Sequence, residues 1–361
     1  MDEARVTLGS HQSRPGKDDF TSLEPHASLL AQYCSQHINF VDDVIGPHAI
    51  QKISMVQPGE ILVLDNLRFC AEENIDDKRE KLVKTHFVKR LAPLFDYYVD
   101  DAFATAHRSQ PSIAGLPELL PSIAGRLMEK ELEAVSTLLA EPKRPCVYSL
   151  GGAKVEDKIP VIENILSRGK ADKILLGGVP AKLFLRAREV KTKINDEEIR
   201  DFKQFLDRAT KLTQRYKDHI EVPVDLAYED KQGRRIDIAT NTPPLDGEAL
   251  DIGSKTLEKY SKIVKGAATS VANGPLGVFE RNGFDKGTKE LLEAMAESNG
   301  YTVIGGGHLV GLASIQGIDE KFSHVSTAGG AMLSLLSGDN LPGVQALVRA
   351  AARMRELNSA G

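Results

Sequence analysis

The sequence predicts an α/β protein with parallel sheets in two domains. Three observations carry that prediction. Short apolar strands alternate with stretches of helical period, two Gly-rich turns each follow such a strand, and 361 residues with 41% hydrophobic side chains suffice for two cores. Taken along the chain, apolar and β-branched runs place strands at residues 6–9, 61–65, 97–99, 146–150, 174–176, 267–271 and 301–304. Met128, Leu132, Val135 and Leu139 form a stripe at helical spacing with Glu and Lys on the other face. That connecting helix ends at the Pro-interrupted linker Glu141-Pro142-Lys143-Arg144-Pro145, after which a new strand starts at once. The division therefore falls near residue 142. Residues 342–357, rich in Ala, Val and Arg, read as a final helix.

Charge and composition narrow the class. A net charge of −5 with dispersed basic residues gives no footprint for nucleic acid, so any anion site must be local. No stretch approaches the roughly 18 consecutive apolar residues of a membrane span, and the start Met-Asp-Glu-Ala-Arg lacks the features of a signal peptide. A cytoplasmic protein without a membrane partner is expected. Cys34, Cys70 and Cys146 are widely spaced and odd in number, as free thiols in a reducing compartment would be.

Glycine marks the first candidate site. Asn273-Gly274-Pro275-Leu276-Gly277-Val278-Phe279-Glu280 and Ile304-Gly305-Gly306-Gly307-His308 each sit where a strand ends and the chain turns toward a helix. Open α/β sheets bind ligands there, because glycine lets backbone N–H groups approach phosphate oxygens and the following helix adds favourable potential. A third signature is Ser149-Leu150-Gly151-Gly152-Ala153-Lys154-Val155-Glu156-Asp157-Lys158, a strand running into two glycines and then two lysines four apart, with Pro160 in the first helical turn. Spacing of four puts Lys154 and Lys158 on one helix face. Paired ammoniums at a helix N-terminus oppose the macrodipole, so the arrangement costs stability unless an anion occupies it. Neither the P-loop pattern nor Gly-x-Gly-x-x-Gly occurs, which argues against P-loop NTPases and nicotinamide oxidoreductases.

Strand ends of the first half carry His and Arg instead. Ser10-His11-Gln12-Ser13-Arg14-Pro15 follows the first strand, Asn66-Leu67-Arg68-Phe69 the second, and Asp101 to Arg108 the third. If these strands are parallel neighbours, Arg14, Arg68 and Arg108 converge on one crevice. Guanidinium forks suit phosphate and carboxylate, so the set reads as a site for a small multiply charged anion.

SHQSRP, DNLRF, DAFATAHR, GGAKVEDK, NGPLGVFE, IGGGH and FSHVSTAGGA, in this order, resemble the phosphoglycerate kinase family, and HQSRPG with GGGH resembles its archaeal branch. The resemblance spans essentially the whole chain. It implies two Rossmann-like, doubly wound parallel-sheet domains joined by a hinge helix: residues 1–127 for the triose phosphate, 128–142 as connector, and 143–340 for the nucleotide. Residues 341–361 would form a helix returning to the first domain. The implied reaction is reversible phosphoryl transfer between 1,3-bisphosphoglycerate and ADP, giving 3-phosphoglycerate and ATP, with Mg²⁺ accompanying the nucleotide. Closure of the domains about the connecting helix would gate turnover, and a monomer is expected.

Carried over by position, the resemblance assigns His11, Gln12, Ser13, Arg14, Arg68 and Arg108 to the triose substrate. Lys154 would reach the transferring phosphoryl and Lys158 the nucleotide phosphates. Gly305, Gly306, Gly307 and His308 would lie against those phosphates, and Glu280 would hold the ribose. Two departures stand out. Family members begin with an RVDFN-like strand end and a DDTR-like turn that this chain lacks, so a working protein with an earlier start is expected, and a non-catalytic nucleotide-binding relative is the alternative. His308 stands where most of the family has Asp near the metal. Imidazole suits Mg²⁺ poorly, leaving the magnesium ligand unassigned. Asp225 is a spare carboxylate whose strand-end position reads first as a cap.

Overall fold

The computed structural model describes residues 4–193, 199–242 and 247–360. They form two compact units, one from Met1–Met128 with Leu341–Gly361 and one from Glu129–Asn340.

The first unit opens with β1 (Val6–Leu8), α1 (Glu24–Tyr33), β2 (Ile38–Val41), α2 (Pro47–Met55) and β3 (Ile61–Leu64). It continues with α3 (Arg79–Leu82), α4 (His86–Leu91), β4 (Tyr98–Asp100), β5 (Ser122–Ala124) and the start of α5 (Arg126–Leu139). Among the described residues β1, β3 and β2 make one parallel sheet in that order, and β4 pairs with β5 in a separate parallel ribbon. Local chemistry sets the helix starts. Asp43 accepts from the N–H groups of Val44, Gly46 and Ala49 and thereby fastens the first turn of α2, where Pro47 needs no partner. Val41, Leu62, Leu64, Phe87, Val88 and Leu91 form the core between sheet and helices.

The second unit runs β6 (Cys146–Leu150), α6 (Val155–Ser167), β7 (Lys173–Leu176), α7 (Gly178–Ala187), α8 (Phe202–Arg215) and β8 (Ile220–Glu221). Then follow β9 (Asp225–Glu229), β10 (Arg235–Ala239), β11 (Asp251–Ile252), α9 (Ser254–Lys265), β12 (Thr269–Asn273), α10 (Lys286–Ala296), β13 (Tyr301–Gly305), α11 (Gly307–Ile315), β14 (His324–Ser326) and α12 (Gly329–Leu336). Its main sheet has the order β14-β13-β12-β6-β7-β8, parallel throughout. β6 and β12 are buried along their whole length, as strands covered on both faces by helices must be. The chain then re-enters the first unit as α13 (Pro342–Ala360), where Arg349 and Arg353 engage Glu118 and the carbonyl of Pro117, and Gly343 N–H donates to Ala106 O.

Several local expectations need correcting. Among the described residues β4 pairs with β5 and with neither β1 nor β3. β2 takes the place beside β3 instead; its run Ile38-Asn39-Phe40-Val41 is too short and polar-interrupted to stand out by period. β9, β10 and β11 form a small antiparallel sheet where only parallel pairing was expected, and the charges in Arg235-Ile236-Asp237-Ile238 hid its second strand. Pro160 lies inside α6, six residues from its start, not in its first turn.

Glu131 of α5 is fully buried within the second unit and accepts from Thr327 N–H at 2.6 Å and Thr327 Oγ1 at 2.7 Å, with His324 Nε2 at 2.9 Å. Burial works to raise its pKa, but these donors outweigh burial and hold it below the ordinary Glu value of 4.5. The folded state therefore favours the carboxylate, and the stabilisation is complete above about pH 4.5 and lost as pH falls through the depressed folded value. Glu131→Gln is expected to lower stability at pH 7 by roughly 1–3 kcal/mol. The acid limb of a urea-unfolding series should become shallower than in the parent, and an unchanged limb would refute this assignment.

Candidate functional site

A cluster of cations is built in the first unit from three loops. The loop after β1 is tied to the end of β3 by Asn66, a buried side chain that donates to the carbonyls of Gln12 at 2.8 Å and Thr21 at 3.0 Å. Its oxygen accepts from Gln12 N–H and Arg68 N–H, so one amide fixes both loops. Arg68 is 7% exposed and donates through Nη1 to the carbonyl of Ser13, a residue whose φ of 56° lies in the left-handed region. Ser13 in turn donates its hydroxyl to Asp19. Although β4 lies in another sheet, the turns after it return Arg108 to the cluster. Ser109 and Asp77 exchange hydrogen bonds there, and Ser112 donates both N–H and Oγ to Glu73.

Arg14, Arg68 and Arg108 are close enough to feel one another. Burial, then Arg108 and Arg14, lower the Arg68 pKa; burial, then Arg14, lower that of Arg108. His107 is pushed down by burial and by Arg108 and Arg14, and its Nδ1 is buried without a partner among the described residues. Such a set is frustrated until an anion neutralises it. His11 joins through Nε2, 2.8 Å from Oε1 of the fully buried Glu73. That contact fixes the imidazole's orientation.

In the second unit three glycine loops meet at the carboxyl ends of β6, β7 and β12. Gly151 N–H donates to Asn273 O at 3.0 Å, Gly152 N–H to Pro275 O at 2.7 Å, and Gly178 N–H to Leu276 O at 2.8 Å. The approach is backbone on backbone. A Cβ on Gly178, whose φ is +56°, would lie 2.5 Å from Gly152 O, so no other residue fits. These loops border a cleft of about 490 Å³ whose apolar wall comes from Val179, Leu226, Leu250, Ile252, Leu276 and Phe279. Glu280 and His308 line it as well, and the His308 ring sits 4.7 Å from that of Phe279. Gly306, with φ +95°, caps α11, and Gly305 ends β13 beside Asn273. Around Gly307 a Cβ would meet nothing within 4 Å, leaving open space at the α11 N-terminus.

Lys154 and Lys158 do not share one environment. Lys154 precedes α6 as its N-cap and is exposed, whereas Lys158, one turn in, is 5% exposed and donates through Nζ to Asn273 Oδ1. Burial, with Lys154 adding and Asp157 opposing, pulls the Lys158 pKa down to about 8. The Asn273 amide nitrogen, which faces Gly305 and Gly306, is buried without a partner among the described residues. Lys158 and Asn273 thus present an ammonium and an N–H pair to the place where glycine has cleared the backbone.

Among the described residues no group of three or more His, Cys, Asp or Glu could hold a metal ion. Asp225, the spare carboxylate, is occupied: it accepts from Lys255 N–H, Thr256 N–H and Thr256 Oγ1 and so caps α9. Asn66, Glu73, His107 and Asn273 were not singled out as site residues from the sequence. Asn66 and Asn273 each open a motif, immediately before Leu67-Arg68 and Gly274-Pro275, and that adjacency was the available signal. Nothing local marks Glu73.

Comparison with known proteins bears on the chain as a whole. The sequence model described as phosphoglycerate kinase matches residues 1–339. The chain is 41% identical to the phosphoglycerate kinase of Methanothermus fervidus over 98% of its own length and 86% of the relative's. It is 44% identical to that of Methanothermobacter thermautotrophicus, over 95% of this chain and 84% of the relative's. Among solved structures it is similar to the phosphoglycerate kinase of Pyrococcus horikoshii OT3, with a TM-score of 0.90 at 39% identity over 97% of this chain and 88% of that one.

Because the folded state holds Lys158 at about 8, below the free Lys value of 10.5, its charge opposes folding at neutral pH. The penalty is complete below about pH 8 and fades as pH rises toward 10.5. Lys158→Met is expected to stabilise the ligand-free protein at pH 7 by on the order of 1–2 kcal/mol, with the gain shrinking by pH 10. The same variant should weaken ADP binding at least tenfold by calorimetry. A variant less stable than the parent at pH 7 would contradict the electrostatic reading.

Proposed function

The chain belongs to the phosphoglycerate kinase family, and on that premise we propose how its own residues divide the work of moving a phosphoryl group between 1,3-bisphosphoglycerate and ADP. The activity is that of a phosphotransferase of glycolysis, and the single observation that carries the division of labour is that each unit holds its own partly buried, mutually repelling set of cations.

The triose is held by the first unit. Arg14, Arg68 and Arg108 receive its phosphate and carboxyl oxygens, and His11, oriented by Glu73, adds a donor at the loop after β1. Gln12 and Ser13 belong to that loop, and Ser13 also carries the carbonyl that orients Arg68. The nucleotide is held by the second unit, with its phosphates against Gly305, Gly306 and Gly307 beside Lys158 and His308, and its ribose at Glu280. Mg²⁺ enters as part of the Mg-nucleotide substrate.

In the direction of ATP formation a β-phosphate oxygen of ADP attacks the acyl phosphate. The bond from phosphorus to the C1 carboxyl oxygen breaks, and the carboxylate of 3-phosphoglycerate leaves. Both nucleophile and leaving group are already anions, so no general base is required. What the protein supplies is position and charge: Lys154, exposed at the α6 N-cap, is free to follow the phosphoryl while Lys158 stays fixed on Asn273. Transfer between groups held on two units calls for motion that joins them, and the chain connects the units twice, within α5 and just before α13. The free thiols of Cys34, Cys70 and Cys146 support a reducing, cytoplasmic setting, and no described helix is long and apolar enough to cross a membrane. We take the working form to be a monomer.

The test is transfer from Mg-ATP to 3-phosphoglycerate by the purified chain. Lys154→Ala should lower kcat by about 10³-fold, by analogy with other cations that neutralise the moving phosphoryl, while changing the Kd for ADP only a few-fold. An inactive parent, or a variant with undiminished kcat, would overturn the assignment.

A further inference from the structure

The nucleotide cleft contains a charged pair that phosphate and ribose binding do not use. Lys182, in the second turn of α7, is 6% exposed, and its Nζ donates to Oε1 of Glu248, whose side chain is 43% exposed. Both line the same cleft as Glu280 and Gly152. The cleft's remaining carboxylate, Asp251, is fully engaged by Ile252 N–H, Gly287 N–H and Arg235. Around the pair the walls are apolar, from Val179, Leu226, Leu250 and Ile252. Burying an ammonium in such a place is costly, and a single half-exposed carboxylate compensates it poorly.

An apolar slot of this kind fits a flat heteroaromatic ring, and the pair at its margin offers a donor beside an acceptor. Purines present the complement: an exocyclic amino group next to a ring nitrogen or carbonyl oxygen. Pairing with a base would also give the Lys182 ammonium a second partner. We propose that Lys182 and Glu248 read the edge of the purine base, Glu248 accepting from its amino group and Lys182 donating to the neighbouring acceptor. This rests on the nucleotide reading of the cleft given above. It assigns base specificity to one ion pair on α7 and the loop before β11.

Discrimination is measured first by calorimetry, which needs no turnover. Mg-ADP is compared with the diphosphate of purine riboside, identical except that it lacks the amino group. The parent should bind ADP roughly tenfold more tightly, the size expected for a hydrogen bond to a charged acceptor. Glu248→Met, a change on an accessible loop, should bring the ratio close to one. Lys182→Met should weaken both ligands, and in the transfer assay each variant should raise the KM for ATP while leaving that for 3-phosphoglycerate unmoved. A parent that does not distinguish the two diphosphates, or a Glu248→Met that keeps the full ratio, overturns the proposal. If the parent binds ADP with discrimination but transfers no phosphoryl group, the catalytic assignment fails and base reading stands. If ADP does not bind, both fail.

Discussion

Everything in the nucleotide half depends on main chain touching main chain. Where β6, β7 and β12 end, three loops from distant parts of the sequence hydrogen-bond through their own peptide groups at 2.7–3.0 Å. Side chains cannot enter that contact, so the strand ends form a floor of exposed main chain that suits an anion, as helix N-termini and backbone N–H groups do. Beside those loops the buried Lys158 donates to the Asn273 amide oxygen. Remove the backbone contact and the lysine has nowhere to be buried, and the cleft loses the wall made by Leu276 and Val179.

The triose half solves a related problem with different material. Its loops are held together by polar side chains: Asn66 joins two of them, and the Glu73 carboxylate joins His11 to Ser112. These buried bonds hold three guanidiniums within reach of one another in a way their mutual repulsion alone would disfavour. Stability is thereby stored against the arrival of an anion, as it is at Lys158. Both halves follow one rule, in which the site is least comfortable when empty.

How much of this the sequence disclosed followed from range. Glycines and cations are legible in the sequence as candidate site material, because their meaning depends on immediate neighbours: a turn, a strand end, a helix start. Four of the six strands in the large parallel sheet, Cys146–Leu150, Lys173–Leu176, Thr269–Asn273 and Tyr301–Gly305, overlap runs rich in apolar and β-branched residues and so were legible. What failed was anything decided across the fold. That β4 pairs with β5, that Arg235 anchors a hairpin through Asp251, and that Glu73 lies under His11 depend on partners distant in the chain, 16 residues away for Arg235 and 62 for His11, where one sequence has no period to offer. Lys154 and Lys158 show the limit at its smallest: the spacing was legible, but one proved solvated and the other buried, since burial is a property of what packs above the helix.

The return of α13 to the first unit bears on how the protein is born. Its Arg349 and Arg353 engage Glu118 and Pro117, and Gly343 closes onto Ala106, so a unit begun before Glu129 needs a segment made after Asn340. The second unit, contiguous from Glu129 to Asn340, has all its parts earlier than its predecessor does. Domains that fold as units therefore mature here out of the order of translation, the first unit waiting for α13 while every part of the second has already been made.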